Sequence, residues 1–178
     1  MINMIFIIGP MGVGKTAVGI QLSKDIGFDF FDTDDPYLWY DYIPNKYNNL
    51  YWDDRDKYHE IEKKVLRDCI ENKSKNNRII STGGSTVRIY ENRKNIINNG
   101  IVIYLYADFD NLNFRRKLHD NSKFRDWWNN IMLTKNSRED LVSFQKDIES
   151  DYDFADLKID TNGKSIEEIS LEIQKWIF

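Results

Sequence analysis

Gly9-Pro10-Met11-Gly12-Val13-Gly14-Lys15-Thr16 stands between the apolar run Met4 to Ile8 and a stretch of helical periodicity. The spacing G-x-x-x-x-G-K-[ST] is that of a phosphate-binding loop. Glycines let successive backbone N–H groups turn inward around phosphate oxygens, the Lys reaches the β- and γ-phosphates, and the Ser or Thr hydroxyl ligates Mg²⁺. A helix beginning at this point adds its unpaired N–H groups and the positive end of its dipole. Gly12, Val13, Gly14, Lys15, Thr16 and Ala17 are therefore the expected nucleotide contacts. Ile5 to Ile8 read as a buried strand, and Val18, Leu22 and Ile26 fall on one helix face closed by Gly27.

Working outward, the 178 residues fit one domain, and 41% of them are hydrophobic, enough for a single core. The net charge is −4 with both signs spread along the chain, so no basic arm points to a nucleic-acid partner and a small-molecule acceptor is expected. Cys69 is the single cysteine, which excludes an intramolecular disulfide and leaves it as a packing residue. The first residues read as a core strand with no basic leader, and no later run is long enough to span a bilayer. A cytoplasmic monomer is expected.

After the first helix, Phe28 to Phe31 form a strand candidate that leaves into Asp32-Thr33-Asp34-Asp35-Pro36. In open α/β sheets ligands bind beyond the carboxyl ends of strands, so Asp32 and Asp34 are aimed at whatever the phosphate loop holds. Asp35 before Pro36 reads as a helix N-cap. Residues 37–57, with Trp39 and Trp52, lack periodicity, and their aromatic groups suit either an acceptor pocket or packing. A helix is expected over 56–72. Arg78 to Ser81 form a third strand that exits into Thr82-Gly83-Gly84-Ser85, where bare backbone admits a ligand or makes a tight turn capped by Ser85 or Thr86. Val87 to Asn98 read as helix and Ile101 to Tyr106 as a strand buried on both faces. Asp108 to His119, with Arg115 and Arg116, are expected to be helical. The polar segment that follows carries Arg125, which suits a mobile basic lid for phosphoryl transfer. A further helix over 137–150, the strand Leu157 to Asp160 and a turn lead to the last helix. Ser165 and Glu168 make its capping box, and Ile166, Ile169, Ile173 and Trp176 or Ile177 its inner face.

Together these motifs resemble the shikimate kinase family of P-loop kinases over nearly the whole chain. The resemblance rests on Gly9 to Thr16, Phe31-Asp32-Thr33-Asp34, Thr82-Gly83-Gly84, the strand Ile101 to Leu105, and Ile159-Asp160-Thr161. It implies a three-layer α/β fold over 1–178, with a five-stranded parallel sheet of order 2-3-1-4-5, a substrate-binding insert at about 35–60 and a lid at about 115–135. It also implies ATP as co-substrate and Mg²⁺ held through Thr16 and Asp32. Asp34 would bind the acceptor hydroxyl, Arg115 or Arg116 would lie near the adenine, and Arg125 would serve as the lid cation beside Lys15. His59, Gly83 and Gly84 would line the acceptor.

This chain departs from the family pattern on the acceptor side. The family's Phe-Arg-x-x-Glu aligns with Tyr58-His59-Glu60-Ile61-Glu62, so His59 replaces an arginine that grips a carboxylate. Ser85 replaces a third glycine and puts a side chain where the acceptor would approach. No arginine lies between Leu141 and Asp156, and Arg55 is a candidate substitute. Three readings follow: a small-molecule kinase of the shikimate kinase type, a nucleoside or nucleotide kinase, and a nucleotide-dependent regulatory protein.

Overall fold

The computed structural model describes residues 2–43, 54–72, 76–118 and 138–178. Five parallel strands form one sheet in the order β2-β3-β1-β4-β5. They are β1 (Met4–Ile8), β2 (Asp29–Asp32), β3 (Arg78–Ser81), β4 (Ile101–Tyr106) and β5 (Leu157–Asp160). The helices are α1 (Lys15–Ile26), α2 (Pro36–Tyr40), α3 (Arg55–Glu71), α4 (Tyr90–Asn99), α5 (Phe109–Lys117), α6 (Arg138–Glu149) and α7 (Ile166–Ile177). Short 3₁₀ turns cover Thr86–Arg88 and Ser150–Tyr152. This is the expected strand order.

The central strand shows why the apolar runs are unbroken. Ile5 and Ile7 enter one core with Val18 and Leu22 of α1 and Ile169 and Ile173 of α7. Phe6 and Ile8 enter the other with Ile61, Val65 and Leu66 of α3 and Ile96 of α4. Alternate side chains point to opposite faces, so a strand covered by helices on both sides must be apolar at every position. Truncating Phe6, which is 0% exposed, should destabilise the protein by about 3–5 kcal/mol. Urea unfolding of Phe6→Ala should show a lower midpoint with an unchanged slope.

Local chemistry sets the element ends. Gly27 ends α1 in the left-handed region and donates its N–H to Ser23, and the Ser165–Glu168 capping box opens α7. Asp35 caps α2 through the Tyr37 N–H, with Pro36 in its first turn. Three expectations are corrected. β2 runs one residue later than expected, so Asp32 belongs to the strand and pairs with Ser81. The helix expected over Val87 to Asn98 is broken at Ile89, whose backbone is extended, because Asn92 and Arg93 turn back to bond the carbonyls of Thr86 and Val87. On α7, Ile166 and Trp176 are 40% and 45% exposed, and Ile169 and Ile173 make the buried stripe with Ile177 partly buried against it.

Candidate active site

The site lies at the carboxyl ends of β1, β2 and β3, where α1 begins. Gly14 takes φ 102° as the N-cap of α1, a left-handed conformation that only glycine adopts without strain, and this turns the loop into the helix. Lys15 is 9% exposed, and its ammonium donates to the carbonyls of Gly9 at 2.8 Å and Pro10 at 3.1 Å. Burial lowers its pKa to about 8, against the opposing pull of Asp34 and Asp32. The lysine thus sits in the field of both carboxylates predicted from the Asp-Thr-Asp exit.

Asp32 and Thr16 meet across the gap between β2 and α1, with the hydroxyl donating to Oδ2 at 2.6 Å. The other Asp32 oxygen accepts the Asp34 N–H at 2.8 Å, which turns the chain so that Asp34 faces the loop after β3. Burial and then the charge of Asp34 push the Asp32 carboxyl upward. A hydroxyl and one carboxylate beside a phosphate-binding loop suit Mg²⁺, which takes few protein oxygens and completes its shell with phosphates and water.

Gly83 permits a close approach here. A Cβ on it would lie 3.1 Å from Asp34 Oδ1 and 3.0 Å from Thr86 Oγ1. Gly84 faces the phosphate loop at Met11, and its carbonyl accepts the Tyr152 hydroxyl at 3.0 Å. Tyr152 is buried and stacks on Tyr104 with centroids 4.8 Å apart, so the second core holds this loop in place.

The Ser85 side chain, expected where the acceptor would approach, is tied to α3. Its hydroxyl donates to Glu62 Oε1 at 2.9 Å, and Thr86 donates to the same oxygen at 3.0 Å. Neither side chain caps the following turn. Glu62 is 3% exposed on α3, and its second oxygen lies 3.2 Å from His59 Nδ1. Burial raises the Glu62 carboxyl, the charge of Asp34 adds to the rise, and the three hydrogen bonds oppose it.

The two arginines of α5 divide. Arg115 donates through Nη1 to Thr161 Oγ1 at 2.9 Å and Val13 O at 3.3 Å, and through Nη2 to Thr161 O at 2.9 Å, joining the phosphate loop to the turn after β5. Arg116 is turned inward, 5% exposed, with Nε donating to Met11 O at 2.8 Å. Burial lowers its pKa to about 10. Trp39, an ambiguous pocket residue in the sequence, is 1% exposed, packs 5.0 Å from the Tyr58 ring and donates to Thr33 O at 2.7 Å. Cys69 is buried, as expected. Arg125 and Trp52 lie outside the described residues, as does most of the lid expected at about 115–135.

Thr33 and Tyr152 escaped the sequence reading, and Glu62 entered it only as the last residue of the Tyr58-His59-Glu60-Ile61-Glu62 motif, with no role of its own. The Thr33 hydroxyl accepts the Gly83 N–H at 2.8 Å and its own N–H donates to Ser81 O at 2.9 Å, so it stitches the exits of β2 and β3 together. Its place between two aspartates was the available signal. The signal for a buried Glu62 was an acidic residue falling on the apolar stripe of α3 beside Ile61, Val65 and Leu66.

The shikimate kinase family model matches residues 11–178. A shikimate kinase of Bacillus cytotoxicus is 32% identical, with 97% of each chain covered. The chain belongs to the shikimate kinase family. It is an ATP-dependent kinase that transfers a phosphoryl group to a hydroxyl of a small molecule. The shikimate kinase of Nitrosococcus oceani is 30% identical over 95% of this chain and 84% of its own. Among solved structures, shikimate kinase from Bacteroides thetaiotaomicron superposes with a TM-score of 0.78 at 21% identity, covering 99% of both chains. The enzyme from Acinetobacter baumannii in complex with shikimate gives 0.70 at 22%, covering 99% of this chain and 93% of its own. At these identities the two structures support the fold. Among the described residues no helix is long and apolar enough to cross a membrane.

Proposed function

We propose that this kinase phosphorylates shikimate, with Mg²⁺ and ATP held on the β1 side of the site and the acceptor on the β2–β3 side. The acceptor reading rests on the relatives' names and on the family membership. The observation that carries the chemistry is the grouping of Lys15, Thr16, Asp32 and Asp34 at the exits of adjacent elements.

Phosphates lie in the Gly9–Thr16 loop, contacted by the N–H groups of Gly12, Val13, Gly14 and Ala17, with Lys15 leaving its loop carbonyls for the β- and γ-oxygens. Thr16 and Asp32 hold Mg²⁺, which when bound neutralises charge on those oxygens. Arg115 and the turn after Asp160 flank the adenine, while Arg116 holds Met11 and keeps the loop in shape. Asp34 accepts a hydrogen bond from the acceptor hydroxyl and takes its proton as the bond from oxygen to the γ-phosphorus forms and the bond to ADP breaks. Gly83, Gly84 and His59 line the acceptor, and Arg125 acts from the lid. The enzyme acts as a cytoplasmic monomer with no nucleic-acid partner.

ADP release from Mg-ATP, measured across shikimate, other polyol acids, sugars and nucleosides, tests the reading. Turnover with shikimate at the highest kcat/KM of the panel is the expected result. Preferential turnover of a nucleoside or a neutral sugar would overturn it.

A further inference from the structure

Asp32, Thr33, Asp34 and Asp35 make a β-turn at the exit of β2, closed by the Asp35 N–H donating to Asp32 O at 2.9 Å. A turn's own hydrogen bond does not hold its middle peptide, here the Thr33 carbonyl and the Asp34 N–H. Two side chains hold it instead. Asp32 Oδ1 accepts the Asp34 N–H at 2.8 Å, and the indole Nε1 of Trp39 donates to the Thr33 carbonyl at 2.7 Å. Trp39 reaches back to this carbonyl because α2 is short and starts directly on its Asp35 cap. The ring is buried and packs on Tyr58 of α3. Thr33 is 3% exposed, so its carbonyl depends on a protein donor.

The turn carries the acceptor-side carboxylate as its third residue. Both Asp34 oxygens lie against Gly83, 3.1 and 3.3 Å from where a Cβ on that glycine would stand, and the Thr33 hydroxyl holds the Gly83 N–H at 2.8 Å. Turning the middle peptide changes ψ of Thr33 and φ of Asp34 together, which swings the Asp34 side chain relative to Gly83 and the phosphate loop. A peptide held at both its oxygen and its nitrogen resists that rotation.

Resting on the assignment of Asp34 as the acceptor's base, we propose that Trp39 is a positioning residue of this kinase: its indole N–H locks the Thr33–Asp34 peptide and so aims the Asp34 carboxylate at the acceptor hydroxyl. Trp39 acts through Asp34 and takes no part in the proton transfer. A ring without the N–H leaves a buried carbonyl unpaired, and the peptide turns toward another donor. The nucleotide side is spared, since Lys15 keeps its loop carbonyls and Thr16 keeps Asp32.

Two replacements separate the donor from the packing. Trp39→Phe removes the N–H and part of the ring, whereas benzothienylalanine at position 39 keeps the size of the ring system and puts sulfur in place of the N–H. Steady-state rates should be measured with Mg-ATP and shikimate, or with whichever acceptor the enzyme turns over, in wild type, both position-39 proteins, Asp34→Asn, and Asp34→Asn combined with each replacement. Loss of aim at a reacting group lowers kcat, here by about tenfold in both position-39 proteins, with KM for ATP unchanged. In the Asp34→Asn background the same replacements should cost much less, because no base is left to aim. The benzothienylalanine protein carries the test by itself if Trp39→Phe does not fold. Wild-type kcat in that protein would overturn the role of the N–H, as would an equal loss with and without the Asp34 carboxylate, and either result leaves Asp34 as the base. Wild-type kcat in Asp34→Asn would overturn the assignment of the base and this proposal with it.

Discussion

Lys15→Met should abolish turnover and at the same time make the nucleotide-free protein more stable near pH 7. The functional loss follows from removing the buried ammonium that ends the phosphate loop. Each well-placed donor to the transferring phosphoryl group is worth about 10²–10³ in rate, so kcat/KM for ATP should fall at least a hundredfold. The stability gain follows from linkage. Burial holds the ammonium at a pKa of about 8 in the folded protein, against an unfolded value of 10.5. The unfolded chain binds protons more tightly, so below about pH 8 the folded state carries the whole penalty, which fades as pH rises to 10.5. A shift of this size corresponds to at most about 3 kcal/mol, part of which the hydrogen bonds to Gly9 and Pro10 already offset. Methionine removes the charge and keeps the length. Thermal melts of both proteins between pH 7 and 10 should show the variant ahead at pH 7 and the gap narrowing with pH. A variant less stable than wild type at pH 7 would mean that the two carbonyl contacts outweigh the burial of the charge.

The sequence was most legible where one residue type answers one local demand. The phosphate loop, the unbroken apolar strands, Gly27 and the Ser165–Glu168 box each follow from backbone geometry and burial, and all lie where expected. The break at Ile89 was not legible, because Asn92 and Arg93 reach backward to carbonyls that a helical pattern would have occupied. The strand order itself came through the family resemblance, since periodicity finds strands and does not order them.

The acceptor side was read residue by residue when its logic is pairwise. Ser85 was read alone, as a side chain facing the acceptor, while its partner Glu62 lies 23 positions away. Thr33 was given no role, yet it joins the two strand exits that bring Asp34 to Gly83. Arg115 and Arg116 are adjacent in sequence and a helix turns them about 100° apart, so one reaches Thr161 and the other is buried on Met11. Such long-range partners leave no periodic trace, and buried polar groups become intelligible only once their donors are known.

Asp34→Asn should separate acceptor chemistry from nucleotide binding. The amide has the same shape and can still hydrogen-bond to an acceptor hydroxyl, but it cannot take its proton, and loss of a general base lowers kcat by about 10²–10⁴. At pH 7 the KM for ATP should change little, because the loop, Thr16 and Asp32 are untouched and Lys15 remains mostly charged. At higher pH the same substitution should reveal itself in ATP binding. Asp34 is the larger of the two carboxylate influences that hold a proton on Lys15, so removing its charge moves the Lys15 pKa further below about 8. The alkaline limb of kcat/KM for ATP, which reports ionisations of the free enzyme, should therefore shift to lower pH. Initial rates at saturating acceptor, taken from pH 6 to 9.5, check both parts. If kcat falls and the alkaline limb moves down, Asp34 serves the acceptor proton and the lysine charge together. If ATP KM at pH 7 rises as steeply as in Lys15→Met, Asp34 belongs with the nucleotide and the acceptor base must be sought elsewhere.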